Sequence, residues 1–157
     1  MMKLELIPDE DPRLHKRCDV INPRKSPEEI GSLDAFILSM FCLMKEHNGV
    51  GLAAPQVGIT YRLFIMYDPY TKEEFICFNP KVLKEYPEKH TGEEGCLSYP
   101  GKKLMVARST RVRGTYLDER GIKRTKTFKD LMARCFLHEL DHLNGVVFLE
   151  RAIGVDQ

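Results

Sequence analysis

The sequence predicts an α+β domain of mostly antiparallel sheets packed around a central helix that carries an H-E-x-x-H pattern. Three observations predict it. Residues 27 to 47 repeat apolar side chains at the three-and-four spacing of a helix with one buried stripe. The middle of the chain falls into short β-branched or aromatic runs separated by turn residues. A second helical pattern then runs from about 129 to 143. Helices flanking a strand-rich middle are the pattern of an α+β unit, expected here as a single domain over 1–157.

Each element has a local reason. For the first helix, Ser26 is the expected N-cap, with Pro27 at the first helical position and Asn48-Gly49 at the end. Its stripe is Ile30, Leu33, Ile37, Met40, Phe41 and Met44. "RLFIMYD" and "EEFICFNP" read as strands around the turn "PYTKE", and "KVLKEYPE" as another. "RVRGTYLD" and "IKRTKTFK" flank "ERG" as a hairpin with glycine in its turn. Asn144-Gly145 close the second helix.

Composition removes several function classes. Lys and Arg number 24 against 23 Asp and Glu, a formal net charge of +1. That balance makes no case for nucleic acid or an anionic membrane as the main partner. No apolar run approaches a membrane span, and "MMKLELIPDEDPRLHKRC" lacks the apolar core of a signal peptide, so a cytoplasmic protein is expected. The five cysteines form no C-x-x-C pair. Cys18, Cys42 and Cys77 are read as small buried hydrophobes.

The chemistry starts at "RCFLHELDHLNG". Helical spacing sets Cys135, His138, Glu139 and His142 along one stripe. Burying such polar groups without partners costs about 1–3 kcal/mol each. Two neutral imidazoles that bind an ion, beside a glutamate that moves protons, give the pattern a purpose. A third ligand is needed. Downstream of His142 stand only Glu150 and Asp156, a poor fit, so the ligand is expected upstream.

"GEEGCLSYPG" offers Cys96, whose thiolate beside two imidazoles would leave a position for water. "HNGVGLAAPQVG" offers an extended, closely approachable backbone and the amide of Gln56. Taken singly, the first is equally a turn with an incidental cysteine and the second a glycine-rich connection. The residues alone leave those readings open.

In this order, "GVGLAAPQ", "EGCLS" and "HELDHLNG" resemble the three signatures of the peptide deformylase family. "IPDEDPRLHKRCDVI" and "RVRGTYLDERG" are similar to its opening segment and late hairpin. The resemblance implies that Cys96, His138 and His142 bind one divalent ion, Fe²⁺ natively in many members, with Zn²⁺, Ni²⁺ or Co²⁺ as other occupants. It implies Glu139 as general acid/base, and an oxyanion hole from the Gln56 side chain and the Leu97 backbone N–H. Val50, Gly51, Leu52, Glu94, Gly95, Arg134 and Cys135 are expected along the substrate pocket. Glu94 is expected to pair with Arg108, and Asp141 to orient a ligand imidazole or anchor the helix. The implied substrates are formylated nascent peptides, cleaved to formate and a free amine.

The chain departs from the family pattern in places. Leu137 stands where glutamine is frequent. Arg134 stands where an apolar residue is common, expected either to reach outward or to favour acidic side chains after the methionine. The sequence ends soon after "VVFLERAIGVDQ", where longer bacterial members carry a ribosome-docking helix. It is therefore read as a short form that either lacks that docking or meets the ribosome transiently without such a helix. Two other readings remain at this point: an H-E-x-x-H metallopeptidase with a downstream ligand, and a metal-stabilised binder of peptide N-termini without turnover.

Overall fold

The computed structural model describes residues 2–153; Asp156, and with it the predicted chain end, lies outside the described residues. Helix α1 spans Leu33–Glu46 and helix α2 spans Asp130–Leu143. Between them run β1 (Gly51–Ala53), β2 (Leu63–Tyr67), β3 (Glu74–Glu85), β4 (Lys89–Cys96), β5 (Tyr99–Ser109), β6 (Arg111–Leu117) and β7 (Lys123–Lys129). Five strands form one antiparallel sheet in the order β1-β2-β3-β6-β7. Strands β4 and β5 pair as a separate two-stranded ribbon.

Alternation along β2 assigns the two helices to opposite faces of the sheet. Phe64 and Met66 enter the core with Phe136 and Ala133 of α2. Leu63 and Ile65 enter the other core with Phe36, Met40 and Met44 of α1. The approach of α2 is close: a Cβ built on Gly114 of β6 would lie 2.6 Å from the Phe136 ring. Phe136 also stacks on Phe128 and meets Phe64 edge-on, both at ordinary aromatic separations. This packing fixes the height and rotation of α2, and with it the direction of His138, Glu139 and His142.

Three expectations about elements need correction. Helix α1 begins at Leu33, with Ser32 rather than Ser26 as cap; the Ser32 hydroxyl accepts from Ala35 N at 3.2 Å. Pro27 to Gly31 form a turn, and Gly31 at φ +74° ends it in a conformation that suits glycine. The predicted apolar stripe is nevertheless wholly buried, Ile30 included. "EEFICFNP" and "KVLKEYPE" are one strand, β3, interrupted by a register shift between Phe78 and Lys81. Asn79 at φ +49° and Pro80 cause that irregularity. Finally, Cys42 is exposed, whereas Cys18 and Cys77 are buried as expected.

Candidate active site

Four segments meet at the site. Helix α2 supplies His138 and His142, one turn apart, and Glu139 next to the first. Strand β4 ends at Cys96, the tip of the β4–β5 ribbon rather than a free loop. The 3-10 turn Ala54–Val57 that follows β1 supplies Gln56, and β1 supplies Gly51.

One ligand atom from each of Cys96, His138 and His142 lies within 4.8 Å of the others, and all three residues are buried. Cys96 Sγ stands 3.3 Å from His142 Nε2. Among the described residues this is the group that combines thiol and imidazole donors at metal-binding distances. An N₂S set of three protein donors is the composition of a catalytic rather than a closed structural site. Burial, and repulsion from His138, hold His142 well below the usual imidazole range, so its lone pair is free to bind a cation. Burial also disfavours a charge on His138, but hydrogen bonds with Cys96 and Glu94 outweigh it and take the ring up to about 10. A cation at that nitrogen takes the place of the proton those partners favour. The residues fit a divalent metal.

The supporting network centres on Glu94. Its Oε1 lies 2.8 Å from His138 Nδ1. Arg108 donates to both its oxygens, at 2.8 and 3.1 Å. Arg134 adds a third cationic donor at 2.7 Å. Burial opposes ionisation of Glu94, yet hydrogen bonds from His138 and Arg108 and the arginine charge hold its carboxyl far below the usual range. Arg134 is turned inward: it also donates to the Val106 and His90 carbonyls, at 2.9 and 2.7 Å, and so ties α2 to the ribbon. The outward reach expected for it is incorrect.

Asp141 bonds neither imidazole. Arg108 and Arg151 occupy its oxygens, so it anchors α2 to the ribbon and to the segment after the helix. Glu150, the downstream candidate ligand, is exposed and accepts from Val147 N at 2.9 Å, away from the cluster. Among the described residues, no ligand downstream of His142 completes a metallopeptidase arrangement.

A cavity of about 450 Å³ opens over the cluster, lined in part by Val50, Gly51, Leu97, Arg134, Cys135 and Glu139. Glu94 and Gly95 also reach it. Leu52 does not: it is fully buried with α1 on the opposite face of the sheet, as strand alternation from Gly51 requires. Glu139 is buried, and its Oε1 has no protein partner. Burial pushes its carboxyl up to about 7, against the attraction of His138. Gly51 makes room for that carboxylate, since a Cβ there would lie 2.6 Å from Glu139 Oε2 and 2.7 Å from Cys135 Sγ.

The Gln56 amide is aligned at both ends. Its Oε1 accepts from Ala53 N at 2.9 Å, while its Nε2 donates to Ser98 Oγ at 3.0 Å and faces Cys96 Sγ at 3.6 Å. Sequence reasoning passed over Ser98, the serine of "EGCLS", and Arg151, for which no sequence signal exists. His47 and Lys103 at the cavity mouth were likewise not anticipated.

Comparison with known proteins agrees with this geometry. The polypeptide deformylase family model matches residues 3–157. A peptide deformylase of Roseiflexus castenholzii is 38% identical over 159 residues, covering 92% of this chain and 83% of its own. The crystal structure of peptide deformylase from Thermotoga maritima superposes with a TM-score of 0.88 at 36% identity, covering 98% of this chain and 99% of that one. A Met-Ala-Ser-bound class I type b peptide deformylase from Acinetobacter baumannii superposes at 0.82 and 33% identity, covering 96% and 98%. With its family model matched almost end to end and its fold shared, this chain belongs to the polypeptide deformylase family.

Proposed function

We propose that this enzyme removes the formyl group from N-formylmethionyl nascent peptides, with Cys96, His138 and His142 holding one divalent ion, Fe²⁺ natively. One observation carries the reading: the buried Cys96–His138–His142 cluster presents Cys96 and His138 to a cavity that an unpartnered buried carboxylate and an aligned amide also line. An N₂S donor set also accepts Zn²⁺, Ni²⁺ or Co²⁺. When bound, such an ion lowers the pKa of water toward about 7 and polarises the scissile carbonyl.

The chain's own residues do the rest. Glu139 takes a proton from the attacking water as its oxygen adds to the formyl carbon. It then delivers that proton to the departing amine nitrogen as the C–N bond breaks, leaving formate and a free peptide. A pKa near 7 suits a group that must both accept and donate. Gln56 Nε2 and the Leu97 N–H donate to the carbonyl oxygen as it gains charge. A donor of this kind is worth about 2.7–4 kcal/mol.

Strand β1 is an edge of its sheet, so its free side is available to pair with the peptide backbone by strand addition. Val50 and Cys135 then face the methionine side chain. The Met-Ala-Ser tripeptide bound to the Acinetobacter structure has the form of the product this reaction releases. The cytoplasm is the expected compartment. Among the described residues no helix is long and apolar enough to cross a membrane.

The test is formate release from formyl-Met-Ala-Ser by purified, Fe²⁺-loaded protein, with Glu139→Ala and Cys96→Ser as controls. Turnover by the parent, with none in Glu139→Ala and loss of metal in Cys96→Ser, is expected. Metal retained but no formate from the parent would leave a binder of N-termini.

A further inference from the structure

The near-balance of charge over the whole chain conceals an uneven distribution. Strands β6 and β7, "RVRGTYL" and "KRTKTFK", hold six basic residues and no acidic one. Two of the six are neutralised: Arg124 pairs with Asp118, and Lys126 with Glu73. Arg111, Arg113, Lys123 and Lys129 have no such pair among the described residues, and all four are exposed.

Register sets these four on one face. Arg111 lies opposite Lys129, Arg113 opposite Thr127, and Leu117 opposite Lys123. Strand β3 extends the row, with Lys84 opposite Arg113 and Lys81 opposite Thr115, both lysines exposed. The alternate residues Val112, Gly114 and Phe128 face α2, so the cations lie on the far side of the sheet from the active site. The α1 core reaches this side mainly through Leu63, Ile65, Phe78 and Leu117, leaving the cationic rows in solvent. Same-face residues are about 6.8 Å apart along a strand and about 4.8 Å apart between strands, so six cations occupy a compact, flat field.

Two of them are also held in place. The Tyr86 ring has Lys84 Nζ at 4.6 Å and Arg111 Cζ at 3.9 Å from its centroid. Among the described residues the nearby acidic groups stand at the margins or are engaged: Glu88 and Asp130 share a basin with Arg111 and Lys129, Glu119 is in the β6–β7 turn, Glu74 pairs with Lys45, and Glu85 accepts from the Ser109 hydroxyl.

We propose that this outer face of β3, β6 and β7 docks on the phosphate backbone of structured RNA. Unpaired Lys and Arg interleaved with the Thr125 and Thr127 hydroxyls match a row of phosphates. A bilayer partner would call for a set of apolar side chains to insert beside the cations; only Leu83 and Ile122 stand exposed next to them, and threonines lie between the cationic rows. The choice of RNA rests on the reading above that the substrate is a newly made peptide. Docking here leaves the cavity mouth, on the α2 side, clear.

The test uses metal-loaded protein and a fluorescein-labelled RNA hairpin, followed by anisotropy between about 50 and 200 mM salt. The triple variant Lys84→Gln/Arg113→Gln/Lys129→Gln is compared with Lys3→Gln/Lys16→Gln/Lys72→Gln, three exposed lysines elsewhere. The face variant is expected to lose about tenfold or more in affinity and to lower the salt slope by about 3, roughly one for each contact removed. The control variant is expected to match the parent, and formate release from a soluble formyl-tripeptide to be the same in all three. Equal RNA affinity in the two variants overturns the proposal. So does tighter binding to a DNA hairpin, or uptake by phosphatidylglycerol vesicles without RNA binding. Face-dependent RNA binding by a protein that releases no formate would sink the proposed activity and leave the docking surface standing.

Discussion

Glu94 Oε1 and His138 Nδ1 are 2.8 Å apart, and the same carboxylate holds Arg108 and Arg134. One buried anion thereby sets the orientation of a candidate ligand imidazole, joins the ribbon that carries Cys96 to the helix that carries the histidines, and neutralises two guanidinium groups. Glu94→Gln keeps the shape and removes the charge. Metal affinity is expected to fall about 10–100-fold, as for other groups that orient a ligand from behind. Arg134, left with no carboxylate while Arg108 keeps Asp141, should cost about 3–5 kcal/mol of stability in addition. Chelator competition and urea unfolding read the two effects separately, and unchanged metal affinity would contradict the orienting role.

Gly51 is the second point of leverage. A methyl group there would stand 2.6 Å from Glu139 Oε2, so Gly51→Ala must displace the carboxylate, the strand or both. A shift of about 1 Å at a reacting group costs on the order of 10²-fold in rate. The expected result is a kcat reduced by about that factor with stoichiometric metal retained. Wild-type kcat in Gly51→Ala would show that the carboxylate position does not limit turnover.

How much of this was legible in the sequence varies by element for physical reasons. Helix α2 was readable because its apolar stripe and its polar triplet share one period, and its bounds follow within a residue. The stripe of α1 was readable, but its start was not: Ser26 and Ser32 are both plausible caps, and only Gly31 at φ +74° decides between them. Strand β4, "KHTGEEGC", is polar and largely exposed because its partner is β5 rather than a core, so periodicity carried no signal there. The candidate ligands emerged from residue chemistry combined with a family resemblance. The inward turn of Arg134 did not, because it depends on carbonyls of His90 and Val106 that are distant in sequence.

With Glu139 as the proposed general acid/base, its carboxyl, pushed up to about 7, should set the acid limb of the rate. As general base it must be ionised to act, so kcat/KM should fall about tenfold per unit of pH below about 7 and level off above it. Glu139→Gln should abolish both the rate and the limb. The stability linkage has the opposite sense. A carboxyl whose folded pKa is raised contributes stability that is full below about 4.5 and lost as pH rises through about 7. In chelated protein, Glu139→Gln should therefore gain on the parent across that window, by about 1–3 kcal/mol. A parallel pair of stability curves would assign the perturbation elsewhere.

The proposed sulfur ligand, Cys96, makes the choice of metal testable through air. A sulfur ligand on Fe²⁺ is exposed to oxidation of both metal and thiolate, whereas Ni²⁺ and Zn²⁺ do not start that chemistry. Activity of the iron-loaded enzyme should decay aerobically and persist under argon, with the nickel form outlasting it in air. Mass spectrometry should find added oxygen at Cys96 rather than at buried Cys77, whose thiol burial holds well above the usual range. Identical lifetimes for every ion would argue against native iron.

Arg134 decides a question of specificity. Free at the cavity wall, its charge would favour an acidic residue after the methionine. Here Glu94 neutralises it at 2.7 Å, and two carbonyls take two more of its donors. Formyl-Met-Ala-Glu and formyl-Met-Ala-Lys should therefore be cleaved with kcat/KM values within about threefold, less than 1 kcal/mol of discrimination. Arg134→Leu should leave that ratio unchanged while lowering stability by about 1–3 kcal/mol, since the His90 and Val106 carbonyls and Glu94 each lose a donor. A clear preference for the glutamate substrate that disappears in Arg134→Leu would show that the guanidinium leaves Glu94 when peptide binds.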